Sequence, residues 1–524
     1  MFKDHPKGLI PAALSNMGER FGYYIMNAVL VLFLCSKFGL SDEASAIIYS
    51  VFYCGIYVLS LVGGILADRT QNYKAVIRSG LIIMATGYII LSFPILSTQA
   101  NIGWLLPLTC FALLLIAFGN GLFKGNLQAI VGQMYDNFEA EAQAKGPEAY
   151  RRVQGKRDSG FQIFYVFINI GGLIAPFVAP LLREWWLKTH GLIYNAALPA
   201  DCHSYLTNAA AMTSDSMKNL LELIGKVGGS VDPNSPEAIR AFCESYLDIF
   251  NTGIHYSFIA SVAAMLISLI IFMVNQRIFP VPAKKEKQVV EDYTPEEKAE
   301  MAGEIKRRMY ALFAVLGIVI FFWLSFHQNG QSLSLFARDF VQTDNLAPEI
   351  WQAVNPFFVI TLTPIVMLIF GMLSKRGKEI STPRKIAIGM GIAGLAFLFL
   401  AIFSFMQDYP SGLEFKALSD SAKSDIKAGP WVLIVLYFFL TVAELFISPL
   451  GLSFVSKVAP KHLQGLCQGL WLGATAIGNL FLWIGPLMYN KMPIWQCWTV
   501  FLTICLISMF VMLGMLKWLE KIAK

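Results

Sequence analysis

Twelve apolar stretches, each about as long as a bilayer is thick, run the length of this 524-residue chain. A transmembrane helix needs roughly 20 such residues, so a chain built this way folds in lipid. A window near that length puts the spans at about 10–37, 44–66, 75–97, 104–134, 159–182 and 255–276, and then at 310–336, 351–373, 384–406, 430–456, 465–489 and 494–519. A polar segment at 277–309 divides them six and six. The expected fold is an all-α membrane protein: a six-helix bundle over 1–276 carrying an external segment at 183–254, a cytoplasmic linker at 277–309, and a second six-helix bundle over 310–524. Composition agrees, with 56% hydrophobic and 15% charged residues against roughly 45–50% and 25% in soluble domains. Cytosolic enzymes, nucleic-acid binders and secreted disulfide scaffolds are thereby excluded. No separate apolar core precedes the first span near Ile10, so no cleavable signal peptide is expected.

The formal net charge of +6 invites an acidic partner, but the placement of Lys and Arg explains it. With both termini cytoplasmic, 28 of the 41 basic residues fall on the cytoplasmic side and 11 on the other, leaving Arg20 and Lys124 inside spans. This is the positive-inside pattern of a multi-pass protein of the cell inner (plasma) membrane. A weak internal echo links the halves: Gly64-Ile-Leu-Ala-Asp68-Arg69 leaves the second span and Gly371-Met-Leu-Ser-Lys-Arg376-Gly-Lys378 leaves the eighth. Parallel six-helix repeats around a midplane site are the architecture of major facilitator carriers.

Six of the eight cysteines lie in spans and read as small apolar residues. Cys202 and Cys243 share the external segment, where an oxidising compartment permits a bridge but a shared loop does not ensure that the side chains face each other. Short helices are expected there at 215–226 and 236–250, broken by Gly228-Gly229 and Pro233.

Away from their ends, the spans contain Glu19, Arg20, Lys124 and Glu444 as formal charges, with His327 as a further titratable group. A charge at the bilayer centre costs about 2.5–3.5 kcal/mol, so a functional site is the default reading. The competing reading is an ionic clip between helices, such as Glu19 with Lys124. Spacings of four and seven put Arg20, Tyr24 and Asn27 on one face of the first helix, and Trp323 and His327 repeat the i, i+4 geometry on the seventh. Asn169, Asn355, Glu444 and Trp471 add polar or amphipathic groups in spans 5, 8, 10 and 11. Singly these are packing or interhelical hydrogen-bonding residues; together they line a cavity suited to a zwitterion. Neither an H-E-x-x-H metal motif nor a phosphate-binding G-x-x-x-x-G-K-[ST] loop occurs, so no enzyme, metal or cofactor is expected.

Four segments resemble signatures of the proton-dependent oligopeptide transporter (POT) family of the major facilitator superfamily. Asn16-Met-Gly-Glu19-Arg20-Phe21-Gly-Tyr23-Tyr24 is similar to its first-helix motif E-x-x-E-R-F-x-Y-Y. Gly121-Leu-Phe-Lys124-Gly-Asn resembles the fourth-helix motif with its lysine, Gly160-Phe-Gln-Ile-Phe-Tyr165-Val-Phe-Ile-Asn169-Ile-Gly the fifth, and Ala443-Glu444-Leu-Phe-Ile-Ser-Pro449-Leu-Gly-Leu-Ser the tenth. The resemblance implies uptake of di- and tripeptides by alternating access, driven by protons, in a monomer. It implies that Arg20, Tyr24 and Lys124 face the peptide carboxylate, that Glu444 meets the α-amino group with Asn169 and Asn355, and that Tyr57, Trp323 and Trp471 shape the side-chain pockets.

The chain departs from the family at three positions. Asn16 replaces a motif glutamate, Asn27 an arginine, and His327 a seventh-helix glutamate. Glu19, His327 and Glu444 remain as the proton-coupling candidates, with His327 bonded to Asn27 as the bland alternative. Two rivals stay open: a proton-independent or differently coupled carrier of another small zwitterion or anion, and a non-transporting peptide sensor.

Overall fold

In lipid a backbone N–H or C=O finds no partner except another peptide group, so each apolar stretch closes on itself as a helix. The computed structural model describes all residues except 1–4, 41, 99, 154–155, 196–197, 281–294, 343–350, 352, 377–379, 419, 460–463 and 523–524. The first half comprises α1 (Leu9–Phe38), α2 (Asp42–Thr70), α3 (Tyr73–Ser92), α4 (Ile102–Ala144), α5 (Pro147–Val153), α6 (Lys156–Thr189), α7 (Leu198–Asn208), α8 (Ser214–Lys226) and α9 (Pro236–Asn275). The second comprises α10 (Pro295–Phe326), α11 (Ser332–Phe340), α12 (Val354–Lys375), α13 (Thr382–Met406), α14 (Gly412–Ala417), α15 (Asp420–Asp425), α16 (Trp431–Val458), α17 (Gln464–Leu480), α18 (Ile484–Lys491), α19 (Ile494–Gly514) and α20 (Leu516–Ile522).

Among the described residues, twelve segments are long and apolar enough to cross a membrane, counting α10 with α11, and α17 with α18, as spans interrupted by a turn. Their outer surface carries Leu181, Ile270, Leu368 and Phe510, each more than half exposed, as a lipid-facing belt demands.

Several boundaries differ from the sequence reading. The fourth span continues past 134 to Ala144 as a charged helical extension, because backbone hydrogen bonding does not stop where apolarity does. The third ends at Ser92, two residues before Pro94. The helix expected at 236–250 and the span expected from 255 are one 40-residue helix, α9, opened by Ser235, whose hydroxyl accepts from the Ala238 amide at 3.3 Å. The helix expected at 215–226 forms as α8, whereas α7 was not foreseen. Residues 281–294 of the linker lie outside the described set.

Each half has its own buried apolar cluster, one drawn from residues between Leu9 and Phe279 and the other from residues between Ala311 and Leu519. Within the first, small and hydroxyl residues set the helix spacing. The Ser15 and Ser268 hydroxyls each donate to the other's carbonyl, at 3.1 and 2.6 Å, and Ser261 donates to the Gly22 carbonyl at 2.8 Å, which ties α1 to α9. Where α2 crosses α4, a Cβ on Gly63 would stand 2.1 Å from the Gly121 carbonyl oxygen, and one on Gly121 2.5 Å from that of Leu59. Only glycine permits this approach. It brings α4, with Asn120 and Lys124, hard against the first bundle's interior. The halves meet along α2 with α17 and α6 with α12.

Candidate functional site

The intramembrane charges converge from several helices, in pairings that differ from the sequence reading. Glu19 is fully buried, and its carboxylate accepts from its chain neighbour Arg20 at 2.5 Å (Nε) and 2.7 Å (Nη2). The Asn120 amide of α4 donates to the same carboxylate at 2.7 Å. The Arg20 guanidinium also lies over the Tyr23 ring, 4.8 Å from its centroid. The clip proposed between Glu19 and Lys124 is therefore replaced by a Glu19–Arg20–Asn120 cluster. Consecutive residues on a helix diverge by about 100°, which hid the pair, but both side chains are long enough to turn towards α4.

Lys124 is half-buried, with its ammonium 4.6 Å from the centroid of Tyr57. Tyr57 ends a ladder at i, i+4 spacing on α2: Tyr49 stacks on Tyr53 at 5.6 Å, and Tyr53 meets Tyr57 edge-on at 5.5 Å. Tyr53 also meets the His327 ring edge-on at 5.7 Å, across the two halves, and His327 stacks on Trp323 at 4.9 Å. The spacing of Tyr49, Tyr53 and Tyr57 was legible in the sequence, although only Tyr57 was singled out.

His327 does not bond Asn27. Its Nδ1 lies 2.5 Å from Oδ1 of Asn479 on α17, which requires Nδ1 to donate. Asn27 instead accepts from the Tyr23 hydroxyl at 3.3 Å. An amide and an imidazole are shorter than the arginine and glutamate they stand for, so each finds a nearer partner.

At the other pole, the Glu444 carboxylate of α16 accepts from the Tyr165 hydroxyl of α6 at 2.5 Å and from the Asn355 amide of α12 at 2.8 Å. Asn355 donates as well to Thr441 at 3.0 Å. Tyr165 thus links the halves through the acid, a role that the fifth-helix motif contained but did not reveal. Asn169 turns its amide to the Tyr165 carbonyl at 2.9 Å instead of to Glu444. Tyr24 lies over Gly172 of α6, where an added Cβ would meet its ring at 3.1 Å. The Trp471 ring packs against Gly451, and Trp323 is buried with its indole N–H unpartnered. Arg20, Asn169, Trp323, Glu444 and Trp471 are all less than a tenth exposed, whereas Tyr24, Asn27, Tyr57, Lys124, His327 and Asn355 are half-buried. Among the described residues, no group of three or more His, Cys, Asp or Glu could hold a metal.

Above the end of α1, α7 and α8 form a cap. His203 donates from Nε2 to the Ser36 carbonyl at 2.6 Å, and Asn251 of α9 donates to the same oxygen at 3.1 Å. Burial holds the His203 imidazole below its ordinary range, partly offset by that hydrogen bond.

The pattern that defines the POT family matches residues 74–294 and 284–494. The dipeptide and tripeptide permease B of Xenorhabdus bovienii (strain SS-2004) is 27% identical over 488 residues, covering 91% of this chain and 86% of its own. A peptide transporter of Yersinia enterocolitica subsp. palearctica is 26% identical over 501 residues, covering 91% and 87%. Among solved structures, a peptide transporter POT in complex with sulfate superposes with a TM-score of 0.63 at 21% identity, over 100% of this chain and 96% of that one. A POT family transporter in complex with 5-aminolevulinic acid gives 0.64 at 19%, over 100% and 98%. The structural likeness establishes a shared fold.

Proposed function

Because the chain belongs to the POT family, whose members are membrane transporters and not enzymes, we propose that it imports di- and tripeptides by alternating access, coupled to protons. The single observation that carries this reading is a site with two poles of opposite sign: Arg20 and Lys124 on α1 and α4, and Glu444 on α16, held by donors from both halves. A zwitterion with its amine at Glu444 and its carboxylate at Lys124 satisfies both, and the curated relatives named as dipeptide and tripeptide permeases support that cargo. Arg20, already bound to Glu19, orients the pole; Tyr24, Asn27, Tyr57, Trp323 and Trp471 line the space between. Alternating access follows from rocking of the two bundles about the α2–α17 and α6–α12 contacts. The Lys and Arg excess supports cytoplasmic termini in the inner membrane, and the protein works as a monomer in the bilayer.

Glu19, Glu444 and His327 are the proton-carrying candidates. The Tyr165 hydroxyl donates to the Glu444 carboxylate across the two halves, so protonation of Glu444 would weaken that contact between halves.

A second reading, a carrier of another small zwitterion, is favoured by the altered Asn16, Asn27 and His327. Counterflow in proteoliposomes separates the two: exchange of a labelled dipeptide that is competed by di- and tripeptides supports the proposal. Competition only by small amino-carboxylates refutes it, and binding without accumulation identifies a sensor. Collapse of the pH gradient should abolish concentrative uptake but leave counterflow.

A further inference from the structure

Cys202 and Cys243 are the two cysteines that fall in the external segment 183–254 of the sequence reading; Cys243 lies in the first turns of α9, ahead of that helix's apolar stretch. They sit on different helices, α7 and α9, which pack side by side. Both side chains are fully buried, and the two thiols, unbridged in this structure, are near neighbours. The neighbouring Cys243 thiol and burial push the Cys202 thiol well up from its ordinary range, away from the thiolate that a reactive or metal-binding cysteine needs.

We propose that Cys202 and Cys243 form a disulfide in the mature protein, a covalent staple that holds the cap on the end of α1. The inference rests on the orientation given above, in which this segment faces the extracytoplasmic side. The two thiols lose two protons and two electrons as the Sγ–Sγ bond forms. The acceptor is the disulfide of an extracytoplasmic thiol oxidant, which leaves as a dithiol. Because the docked thiols are buried, exchange takes place before α7 settles on α9.

The consequence follows from neighbouring residues. His203, next in the chain to Cys202, and Asn251, two turns beyond Cys243, both donate to the Ser36 carbonyl of α1. The staple therefore joins the two elements that grip one peptide oxygen at the end of the helix bearing Glu19 and Arg20. Without it, α7 is free to lift and His203 leaves Ser36.

The test is differential alkylation of the full-length protein, with thiols blocked by N-ethylmaleimide at lysis in denaturant and counted by mass spectrometry. Six of the eight thiols should be modified without reductant and all eight after reduction. Peptides containing Cys202 and Cys243 should run as one linked species. Cys202→Ser should expose Cys243 and give seven modified thiols in the unreduced sample. The double variant Cys202→Ser/Cys243→Ser should melt lower than wild type by about 5 °C or more and lose all response to reductant.

Eight free thiols in unreduced wild type would overturn the staple. To separate that from a wrong orientation, Lys218→Cys is introduced in the double variant and probed with a membrane-impermeant maleimide on intact cells. Labelling together with eight free thiols rejects the staple alone, whereas absence of labelling rejects the orientation and the staple with it.

Discussion

Replacing Arg20 by Ala tests the charge cluster directly. Glu19 is fully buried, and two of its three polar contacts come from the Arg20 guanidinium; the third is the Asn120 amide. The substitution leaves a carboxylate in the bundle with one neutral donor, a loss of about 3–5 kcal/mol for a broken buried pair. For a bundle of this size that lowers the apparent Tm by roughly 6–20 °C. Lys124→Ala removes one cation–π contact of about 0.5–2 kcal/mol and strands no acid, because Lys124 is not the partner of Glu19. Thermal unfolding of detergent-purified protein, followed by intrinsic Trp fluorescence, should thus rank Arg20→Ala well below Lys124→Ala. The double variant Glu19→Gln/Arg20→Met, which discards both charges, should recover most of the loss. Uptake in proteoliposomes should vanish in Lys124→Ala although the protein stays folded. Equal destabilisation by Lys124→Ala and Arg20→Ala, or a double variant as unstable as the single, would refute the reasoning.

Glu444→Gln should weaken binding of peptides with a free α-amine by about 10–150-fold, the equivalent of a charge-assisted bond worth about 1.5–3 kcal/mol. N-acetylated peptides should be affected far less, and equal losses for both would remove the amine from Glu444. His327→Gln, matched for expression, should shift or flatten the pH dependence of uptake between about pH 5 and 8; superimposable profiles would leave coupling to Glu19 and Glu444. Gly121→Ala should destabilise the protein by about 1–3 kcal/mol, because its Cβ would meet the Leu59 carbonyl at 2.5 Å, and an unchanged Tm would contradict the tight α2–α4 crossing. In the cap, burial depresses the folded-state pKa of His203, so its contribution to stability is complete above the unfolded value of about 6.5 and declines as pH falls below it. Hydrogen-exchange protection of α7, corrected for intrinsic rates, should fall between pH 7.5 and 5, and His203→Gln should remove that dependence.

How much of this was readable beforehand depended on whether a property is carried by one residue or by a meeting of several. That the chain spans a membrane twelve times follows from side-chain apolarity over about 20 residues, which is local. So was the short roster of charges inside the spans, because lipid penalises every such residue wherever its helix sits. Glu19, Arg20, Lys124, Glu444 and His327 were identifiable for that reason, and the first-, fourth-, fifth- and tenth-helix motifs pointed to the family that the comparisons established. Partnership was not readable. Asn120, Tyr165, Thr441 and Asn479 carry no charge, and an amide or hydroxyl in a span is ordinary until an acid or a ring lies opposite it.

The choice of Arg20 over Lys124 as the partner of Glu19 depends on how α1 and α4 are rotated and how closely they approach. That approach is governed by contacts such as Gly63 with Gly121, a matter of two helices at once. The same holds for the cap, where a common segment made a Cys202–Cys243 meeting permissible, and only the docking of α7 on α9 brought the two thiols together. Composition and periodicity act along one chain segment and so determine what each helix is. Side-chain reach, helix rotation and backbone proximity act between segments and so decide which residues face one another at the site.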